Sequence, residues 1–224
     1  MRRWVLLGAL AAVLAAAGAR ADDPKAVDRL RAVGRLVHEG NDGSRSVISV
    51  SIYGTIGQSD RDLVHLKGLP KLKTVRVSGA GFTDAGLVHL AGLTGLETLD
   101  LSGTCVTDRG LGHLRGLTRL ECLGLHNTAV TPRGLLQLRG CKGLRVLTLG
   151  GPGFTGAGLD QLHALPALVS LELHGPVTDE ALQKLKAWPR LMAVDLSFNS
   201  RVTEKGVRQL QQALPRLQVR RLSH

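Results

Sequence analysis

One stretch of the sequence decides the fold, and it runs Leu96-Glu97-Thr98-Leu99-Asp100-Leu101-Ser102-Gly103-Thr104-Cys105-Val106-Thr107-Asp108-Arg109-Gly110-Leu111. Variants of this stretch recur along the chain, and each contains a segment that resembles Thr-Asp-x-Gly-Leu. The threonines that open these segments are Thr83, Thr107, Thr131, Thr155, Thr178 and Thr203, at spacings of 24, 24, 24, 23 and 25 residues. A fixed period of this length predicts a solenoid, in which each unit buries its apolar face against its neighbours.

The segment that begins at Thr107 predicts a short helix. Thr107 suits the N-cap position, where its hydroxyl can accept a backbone N–H, and Asp108 suits the positive end of the first turn. Leucines then follow at three-residue steps as far as Leu117, which places them on one face of a tight helix. Gly110 costs about 1 kcal/mol relative to alanine inside a helix. Because this glycine recurs in other repeats, we expect close packing that leaves no room for a Cβ.

The residues after this helix predict a strand. Leu123 and Leu125 alternate with Cys122, Gly124 and His126, which is the rhythm of a strand with one buried face. Each unit therefore consists of a strand, a turn, a short helix and a second turn. Because every strand enters its unit in the same direction, stacked units form one parallel sheet.

The different widths of strands and helices predict a curved molecule. Strands lie about 4.8 Å apart in a sheet, whereas packed helices need about 8–10 Å. The fold class is therefore α/β, a leucine-rich solenoid with a curved parallel sheet on the concave face and short helices on the convex face. We count eight strands, from Val47–Ile52 to Leu217–Leu222, which span roughly 34 Å.

The first 21 residues have the features of a secretory signal peptide. Arg2 and Arg3 precede an apolar run over residues 4–18, and Ala19-Arg20-Ala21 forms a cleavage site with small residues. The alternative is an uncleaved membrane anchor, but this run is short against the roughly 20 residues of a spanning helix. We therefore expect an exported protein, periplasmic or extracellular, without a transmembrane segment after cleavage.

The remainder of the chain divides into a cap and the repeats. We assign residues 22–46 to an N-terminal capping helix and linker, and residues 47–224 to the repeat domain. The capping helix is predicted over Ala26–Glu39, and Gly40-Asn41-Asp42-Gly43 is predicted to end it. Its apolar face is formed by Val27, Leu30, Val33 and Val37. End units of a solenoid are commonly atypical in this way.

The charge of the chain favours anionic partners. The net charge is +11, and the leader contains three arginines and no acidic residue, so the mature chain keeps 26 basic and 18 acidic side chains, a net charge of +8. Long-range attraction to anions follows from such a charge. Many basic residues fall on outward helix and turn positions, which favours a solvated convex face. Aromatic residues are 3% of the chain, too few for base stacking, so we expect no specific nucleic-acid site.

Neither the cysteines nor the histidines predict a bound group. Cys141 replaces a core leucine, and the strand positions of Cys105 and Cys122 are too far apart for the Cα separation of about 6 Å in a disulfide. His65, His89 and His113 recur at one helix position. Equivalent positions on neighbouring helices lie about 8–10 Å apart, whereas zinc ligands lie about 2 Å from the metal. We predict no metal, no cofactor and no disulfide.

The repeats resemble leucine-rich repeats, in the variant where Leu-x-x-Leu-x-Leu-x-x-Thr-x-Val leads into Thr-Asp-x-Gly-Leu. The resemblance covers about residues 45–224. In particular, these repeats are similar to those of the ribonuclease-inhibitor-like repeat proteins that planctomycete-type bacteria export. The resemblance implies an arc that binds other macromolecules on its concave face. The family's asparagine-or-cysteine position reads Thr55, Ala80, Thr104, Thr128, Pro152, Pro176 and Asn199. We therefore expect uneven side-chain bonding in the loops and an irregular arc around Pro152 and Pro176.

The outward positions of the strands form the candidate partner-binding surface. They combine charged residues with small ones, and aromatic side chains often anchor interfaces. The predicted contact residues are Tyr53, Arg76, Asp100, His126, Glu172, His174, Asp195 and Phe198. His126 lies one strand from Asp100, and His174 shares a strand with Glu172, but no nucleophile or oxyanion loop stands beside them. We therefore predict no catalytic residues.

The sequence thus predicts a non-enzymatic, exported repeat protein that binds another protein through its concave sheet face. The alternative is a basic structural module that associates with anionic envelope polymers through its net charge. Binding that survives added salt favours the first hypothesis, since salt weakens contacts between exposed charges.

Overall fold

A computed structural model of the chain describes residues 21–32, 36–39, 46–54, 57–131, 133–152 and 154–221. The predicted signal peptide, apart from Ala21, lies outside the described residues. The strands are Leu36–Glu39 (β1), Val47–Tyr53 (β2), Thr74–Thr83 (β3), Thr98–Asp100 (β4), Thr104–Cys105 (β5), Cys122–His126 (β6), Val146–Gly150 (β7), Ser170–His174 (β8), Ala193–Asp195 (β9) and Gln218–Arg220 (β10). The α-helices are Pro24–Ala32 (α1), Asp60–Leu63 (α2), Asp84–Leu87 (α3), Asp179–Leu185 (α4) and Glu204–Ala213 (α5). The 3₁₀-helices are Val64–Gly68, Gly110–Leu114, Gly134–Gly140 and Leu159–Ala164.

The strands form one open sheet in the order β1-β2-β3-β4-β6-β7-β8-β9-β10, and β5 pairs with the end of β3. Every pair from β2 onward is parallel, so the eight predicted parallel strands are confirmed within the described residues. Leucines at equivalent positions of the repeats form a single core, and Leu99, Leu123, Leu147 and Leu171 are almost fully buried. Cys141 is also buried, as predicted, and burial raises the pKa of its thiol to about 11.

The N-terminal cap differs from its prediction. The helix α1 ends at Ala32, and Leu36–Glu39 is a strand, so the predicted helix over Ala26–Glu39 is wrong in its second half. The strand β1 pairs antiparallel with β2, which places Leu36 opposite Ser51. The first strand of a solenoid has an open edge of N–H and C=O groups, and β1 satisfies that edge. The residues predicted to end the helix, 40–43, lie outside the described residues.

Neighbouring repeats are joined by an interaction that we call the latch. Asp84 accepts a hydrogen bond from the backbone N–H of Thr107 at 2.7 Å and another from its hydroxyl at 2.6 Å. The same two bonds recur in three other pairs of repeats, with one carboxylate oxygen for each donor. These pairs are Asp60 with Thr83, Asp108 with Thr131, and Asp179 with Thr203.

The threonine hydroxyl of each latch also caps its own helix. Thr107 Oγ1 accepts the N–H of Arg109 at 3.2 Å, and Thr203 Oγ1 accepts the N–H of Gly206 at 3.1 Å. The N-cap role of threonine is therefore confirmed at Thr83 and Thr203, whereas the 3₁₀-helices after Thr107 and Thr131 begin three residues later, at Gly110 and Gly134. The aspartate acts on the next repeat as well as on its own helix end, because its carboxylate orients the capping hydroxyl of the following unit.

The recurring helix glycine is part of the same latch. A Cβ added at Gly206 would lie closer than van der Waals contact to three atoms of the Asp179 carboxyl group. Gly110 stands in the same relation to Asp84, and Gly134 to Asp108. The predicted close packing is confirmed, and its cause is the carboxylate of the preceding repeat. Thr, Asp and Gly therefore form one unit that spans two repeats.

Two successive junctions lack the latch. The aspartate position holds Pro132 in one repeat and Gly156 in the next, so no carboxylate is available for Thr155 or Thr178. Where Gly156 replaces the aspartate, Ala181 replaces the glycine of the following repeat, and the space left by the missing carboxylate holds its methyl group. Shallow cavities of about 400 and 260 Å³ lie beside the two junctions.

Side-chain hydrogen bonding in the loops is uneven, as expected, whereas the pairing of the strands is regular. Thr104 and Thr128 donate to carbonyls of their own repeat at 2.6 and 2.8 Å, while Asn199 donates to Leu173 O of the preceding repeat at 2.6 Å. Strands β7, β8 and β9 nevertheless stay in parallel register through the units that contain Pro152 and Pro176. The irregularity is confined to the turns and helices, because the strand ladder is independent of the turn side chains.

We predict that Asp108→Ala lowers the free energy of unfolding by about 1–3 kcal/mol, since it removes two hydrogen bonds to a charged acceptor. The matched control is Asp160→Ala, because Asp160 is exposed and its ion pair with Lys184, at 3.5 Å, lies on the surface. Urea unfolding of both variants measures the difference. Equal losses would contradict a special role for the latch.

Candidate functional site

The concave face is organised in rows, because strand register aligns equivalent residues across the sheet. One row carries most of the charge and reads Arg76, Asp100, Gly124, Thr148, Glu172, Asp195 and Arg220. A second row, two residues further along the strands, contains His126, Gly150 and His174. Side chains of alternate residues point to the same face of a strand, so both rows face the concave side.

Parts of the two rows enclose a shallow hollow of about 370 Å³ at the middle of the sheet, which we call the central depression. Five of the predicted contact residues line it, and they come from four strands. These residues are Arg76, Asp100, His126, Glu172 and His174. Thr148 also lines the depression. It was not among the residues predicted from the sequence, although its alternation with Leu147 and Leu149 indicates a concave-face position.

Two glycines lie in the rows that carry the depression. Gly124 lies beside Asp100, and a Cβ there would overlap the aspartate carboxyl group. Gly150 lies between His126 and His174 in the row, and the two imidazole rings approach each other over it, with centroids 5.0 Å apart and planes at 70°. Gly150 has a φ of 144°, and a Cβ there would overlap the backbone of His174, so this position of the row requires glycine.

The carboxylates of the depression lean toward its centre. Asp100 Oδ1 accepts the backbone N–H of Ser102 at 3.0 Å and lies against Gly124. Glu172 Oε2 accepts the hydroxyl of Thr148 at 3.0 Å and lies 3.9 Å from His174 Nε2. Since Gly124 and Thr148 are neighbours in the row, the two carboxylates converge over adjacent strands.

His126 is held in an environment that favours its neutral form. Burial is the main cause that lowers its pKa below the usual 6.5, and the neighbouring His174 lowers it further, while Asp100 acts in the opposite direction. Its Nδ1 atom is buried without a hydrogen-bond partner among the described residues.

Asp195 differs from Asp100 and Glu172, because it lies 3.6 Å from Arg220 and accepts the N–H of Ser197 at 2.8 Å.

A second hollow, which we call the side groove, adjoins the central depression at the carboxyl ends of the strands. It encloses about 570 Å³, and it is lined by His126, Asn127, Gly151, Pro152, His174, Gly175 and Phe198. The two histidines line both hollows, so the hollows form one continuous surface. The apolar lining comes from Pro152 and Phe198, and Phe198 is 54% exposed, as expected from its turn position.

Phe198 has an unusual backbone conformation. Its φ is 64°, in the left-handed region, and equivalent turn positions are occupied by Gly79, Gly103, Asn127, Gly151 and Gly175. Glycine adopts this region freely and asparagine tolerates it, whereas a bulky residue is strained there. The chain therefore keeps an exposed aromatic side chain at a position where glycine is more favourable.

The remaining predicted contact residues lie outside the central depression. Tyr53 is 58% exposed at the end of β2, pairs with Ser78 in the sheet and lines neither hollow. Asp195 lies on β9, beside Glu172. Sequence reasoning missed Asn127 and Pro152 as surface residues. Their turn positions were recognisable, but nothing in the pattern indicated that Phe198 would lie beside them.

The depression does not assemble catalytic chemistry in the described structure. Ser102 and His126 both line it beside Asp100, but no hydrogen bond joins their side chains among the described residues. A nucleophile needs such a bond to its base. Within the described parts of the chain, no three His, Cys, Asp or Glu side chains lie close enough to share a metal ion. The three cysteines are free thiols, with Cys105 exposed and Cys122 partly buried.

We predict that Phe198→Gly lowers the free energy of unfolding by no more than about 1 kcal/mol, because relief of left-handed strain offsets the loss of the partly buried ring. The matched variant is Gly103→Ala in the same column of turns, where φ is 74° and an added Cβ has room. It should lower stability through backbone strain alone. Thermal unfolding tests both, and a loss of stability beyond this limit in Phe198→Gly would contradict the strain.

We also predict that acid destabilises the protein through His126. The pKa of the folded state lies below that of the unfolded state, so the unfolded chain binds a proton more readily. The free energy of unfolding is therefore unaffected above pH 6.5 and decreases as the pH falls through this value toward the lower pKa of the folded state. Chemical denaturation across this range should show a smaller decrease in His126→Gln than in the exposed control His113→Gln.

Burial and Lys67 also lower the pKa of His89, against Asp60, so His126→Gln should reduce the pH dependence without abolishing it. An unchanged pH dependence in His126→Gln would contradict the prediction.

Comparisons with known proteins agree with the repeats and with the fold. A family model described as "Leucine Rich repeat" matches residues 93–114. Internalin C2 from Listeria monocytogenes is structurally similar, with a TM-score of 0.54, 21% identity, and coverage of 89% of this chain and 93% of that chain. An internalin (InlF) from the same organism has a TM-score of 0.56 and 17% identity, over 88% of this chain and 55% of that chain.

A search of curated proteins finds no match. At these identities the structural likeness shows the fold alone. No helix in the described part of the chain is long and apolar enough to cross a membrane. The repeat match, the parallel sheet and the structural likeness together show a leucine-rich repeat solenoid fold.

Proposed function

We propose that the chain is a non-enzymatic, exported leucine-rich repeat protein that binds another protein through its concave sheet face. The observation that carries the proposal is the continuous surface formed by the central depression and the side groove. It contains six of the eight predicted contact residues, and the proposed contacts also include Tyr53 and Asp195 beside it.

The composition of this surface suits recognition of a protein. Its charged side chains lie among glycine, serine and threonine, so a partner's backbone can approach the sheet closely. The exposed aromatic ring of Phe198 lies at one side, and aromatic side chains are enriched among residues that dominate binding energy. The parallel strands that carry these groups are rigidly joined, which limits the entropy lost on binding.

A non-enzymatic role is supported by the arrangement of the polar groups. The imidazoles of His126 and His174 contact each other by an edge, and neither is placed against a hydroxyl nucleophile. The central depression is wide and shallow, so it cannot exclude water from a reacting group as a closed active site does. Groups of this kind serve as contacts for a partner.

Export is proposed from the leader sequence, and the contacts of the first mature residues are compatible with cleavage after Ala21. The carboxylate of Asp22 accepts the backbone N–H of Val47 at 2.5 Å, and the N–H of Asp23 donates to Gly68 O at 2.9 Å. The first two residues of the predicted mature chain therefore form hydrogen bonds with the repeats. Sequencing the N-terminus of the protein recovered from the medium or periplasm should give Asp22 as the first residue.

A second function has its own supporting observation. The predicted mature chain has a net charge of +8, and exposed basic side chains occupy the convex helices and turns. They include Lys67, Arg109, Arg115, Arg119, Arg133, Arg139 and Lys142. Such a surface could hold anionic envelope polymers, in which case the convex side and not the concave side would be responsible for binding.

We test the two functions by affinity capture from the native envelope fraction with residues 22–224. The concave variant is the triple substitution Arg76→Ala, Asp100→Ala and Glu172→Ala. The control variant is Arg139→Ala, Asp160→Ala and Glu180→Ala, which removes the same charges from exposed convex positions. Both variants should retain the thermal unfolding midpoint of the wild type before they are compared.

We predict a defined protein partner that is retained at about 0.5 M salt by the wild type and by the convex control, and lost by the concave variant. Retention of anionic polymer at low salt alone, equal in all three proteins, would support the basic module and contradict the proposal. Turnover of a chromogenic ester or glycoside that is lost in the concave variant would contradict the non-enzymatic role.

A further inference from the structure

We propose that the central depression and the side groove together bind one extended segment of a partner protein, in which a lysine or arginine side chain lies within two positions of an apolar or aromatic one. This inference rests on the proposed function and specifies the chemistry of the partner. The basic group is placed between Asp100 and Glu172, and the apolar group against Pro152 and Phe198. His126 and His174 form the wall that the two subsites share.

The cationic subsite follows from the local charge. Asp100 and Glu172 lean toward each other over Gly124 and Thr148. Asp100 accepts from the backbone of Ser102, and Glu172 accepts from the hydroxyl of Thr148 and lies 3.9 Å from His174 Nε2. Among the described residues, no lysine or arginine forms an ion pair with either carboxylate, whereas Asp195 nearby is paired with Arg220. A partner's cation would lie between two carboxylates that the chain itself leaves unneutralised.

The charge of the two carboxylates is opposite in sign to the net charge of the whole molecule. The chain has a net charge of +11, and its exposed helices are rich in lysine and arginine. The depression contains two carboxylates and one guanidinium, that of Arg76, which lies on the strand beside Asp100 at one end. The basic surface repels a basic segment, while the two carboxylates attract it. These opposite effects favour one register of the segment over others.

The apolar subsite follows from Phe198 and its surroundings. The floor of the side groove is formed by Gly151 and Gly175, which have left-handed φ values of 141° and 137° and no side chain to fill the groove. Pro152 and Phe198 supply apolar surface at its sides. Phe198 is 54% exposed beside the groove, and the equivalent turns have glycine or asparagine in the same left-handed conformation.

The spacing of the subsites suggests an extended ligand. The charged row and the histidine row are two residues apart along the strands, a distance of about 6.6 Å, and the side groove begins at the histidine row. In an extended peptide, side chains at positions i and i+2 point the same way and are separated by the same distance. A basic residue at the charged row therefore places the residue two positions further at the histidine row, where the side groove begins, and a large apolar side chain there extends toward Pro152 and Phe198.

The experiment uses random dodecapeptides displayed on phage, selected on residues 22–224 of the wild type. Selected peptides are synthesised with a fluorescent label, and fluorescence anisotropy gives their Kd. The acid variant is Asp100→Asn with Glu172→Gln, which keeps side-chain size and removes both charges. Phe198→Gly tests the apolar subsite with little effect on folding. Asp160→Asn with Glu180→Gln is the matched convex control.

We expect the selected peptides to contain lysine or arginine within two positions of an aromatic or large aliphatic residue. The acid variant should weaken binding about tenfold or more, and Phe198→Gly about fivefold, while the convex control should leave the Kd unchanged. Replacing the basic residue of the peptide by glutamine should weaken binding to the wild type strongly, and binding to the acid variant little.

Three results would overturn the inference. Selection of acidic peptides, binding that is unchanged in the acid variant, or the absence of any enriched peptide would each do so. The concave variant with Arg76→Ala, Asp100→Ala and Glu172→Ala separates this failure from failure of the proposed function. Peptides that lack the basic–apolar pair but lose binding to this variant leave concave-face recognition intact. Peptides that bind it as well as the wild type contradict both.

Discussion

The structure depends on a carboxylate that belongs to one repeat and acts on the next. Asp84 satisfies the backbone N–H and orients the capping hydroxyl of Thr107, and the following Gly110 leaves space for it. A repeat of this length cannot bury its apolar face alone, so the stability of a solenoid lies largely in such junctions. The latch acts on the helix side, while the strand ladder acts on the sheet side. The two together fix the relative position of neighbouring units.

The concave site follows from this regular stacking and from its local exceptions. Strict register places Asp100, Thr148 and Glu172 in one row, so residues far apart in sequence share a surface. The two junctions without a latch occur where Pro132 and Gly156 replace the aspartate, next to the turns that form the side groove. The sheet stays in register there, because its ladder does not depend on the helix side. The turn that holds Pro152 leads into Thr155, which has no latch, whereas the turn that holds Phe198 leads into the latched Thr203.

Much of this arrangement could be predicted from the sequence, because period and alternation are properties of the chain itself. The strands, the capping threonines, the buried leucines and the concave positions of Asp100, His126 and Glu172 all follow from them. The end of α1 could not be predicted, since the open edge of β2 decides it. Nor could the latch, because Asp108 suits its own helix end as well as it suits Thr131. The approach of His126 to His174 could not be predicted either, because it requires the strand register to be known.

The latch is tested most directly by a double-mutant cycle between Asp179 and Gly206. The nearest atoms to an added Cβ at Gly206 all belong to the Asp179 carboxyl group, and the native pair of Gly156 with Ala181 shows the alternative arrangement. In the wild type, Gly206→Ala should lower the free energy of unfolding, although alanine is favoured over glycine in a helix by about 1 kcal/mol. In the Asp179→Gly background the same substitution should be neutral or stabilising, because the methyl group then has room. An equal effect of Gly206→Ala in both backgrounds would show that the two residues act independently, and would contradict the latch as the unit that joins the repeats.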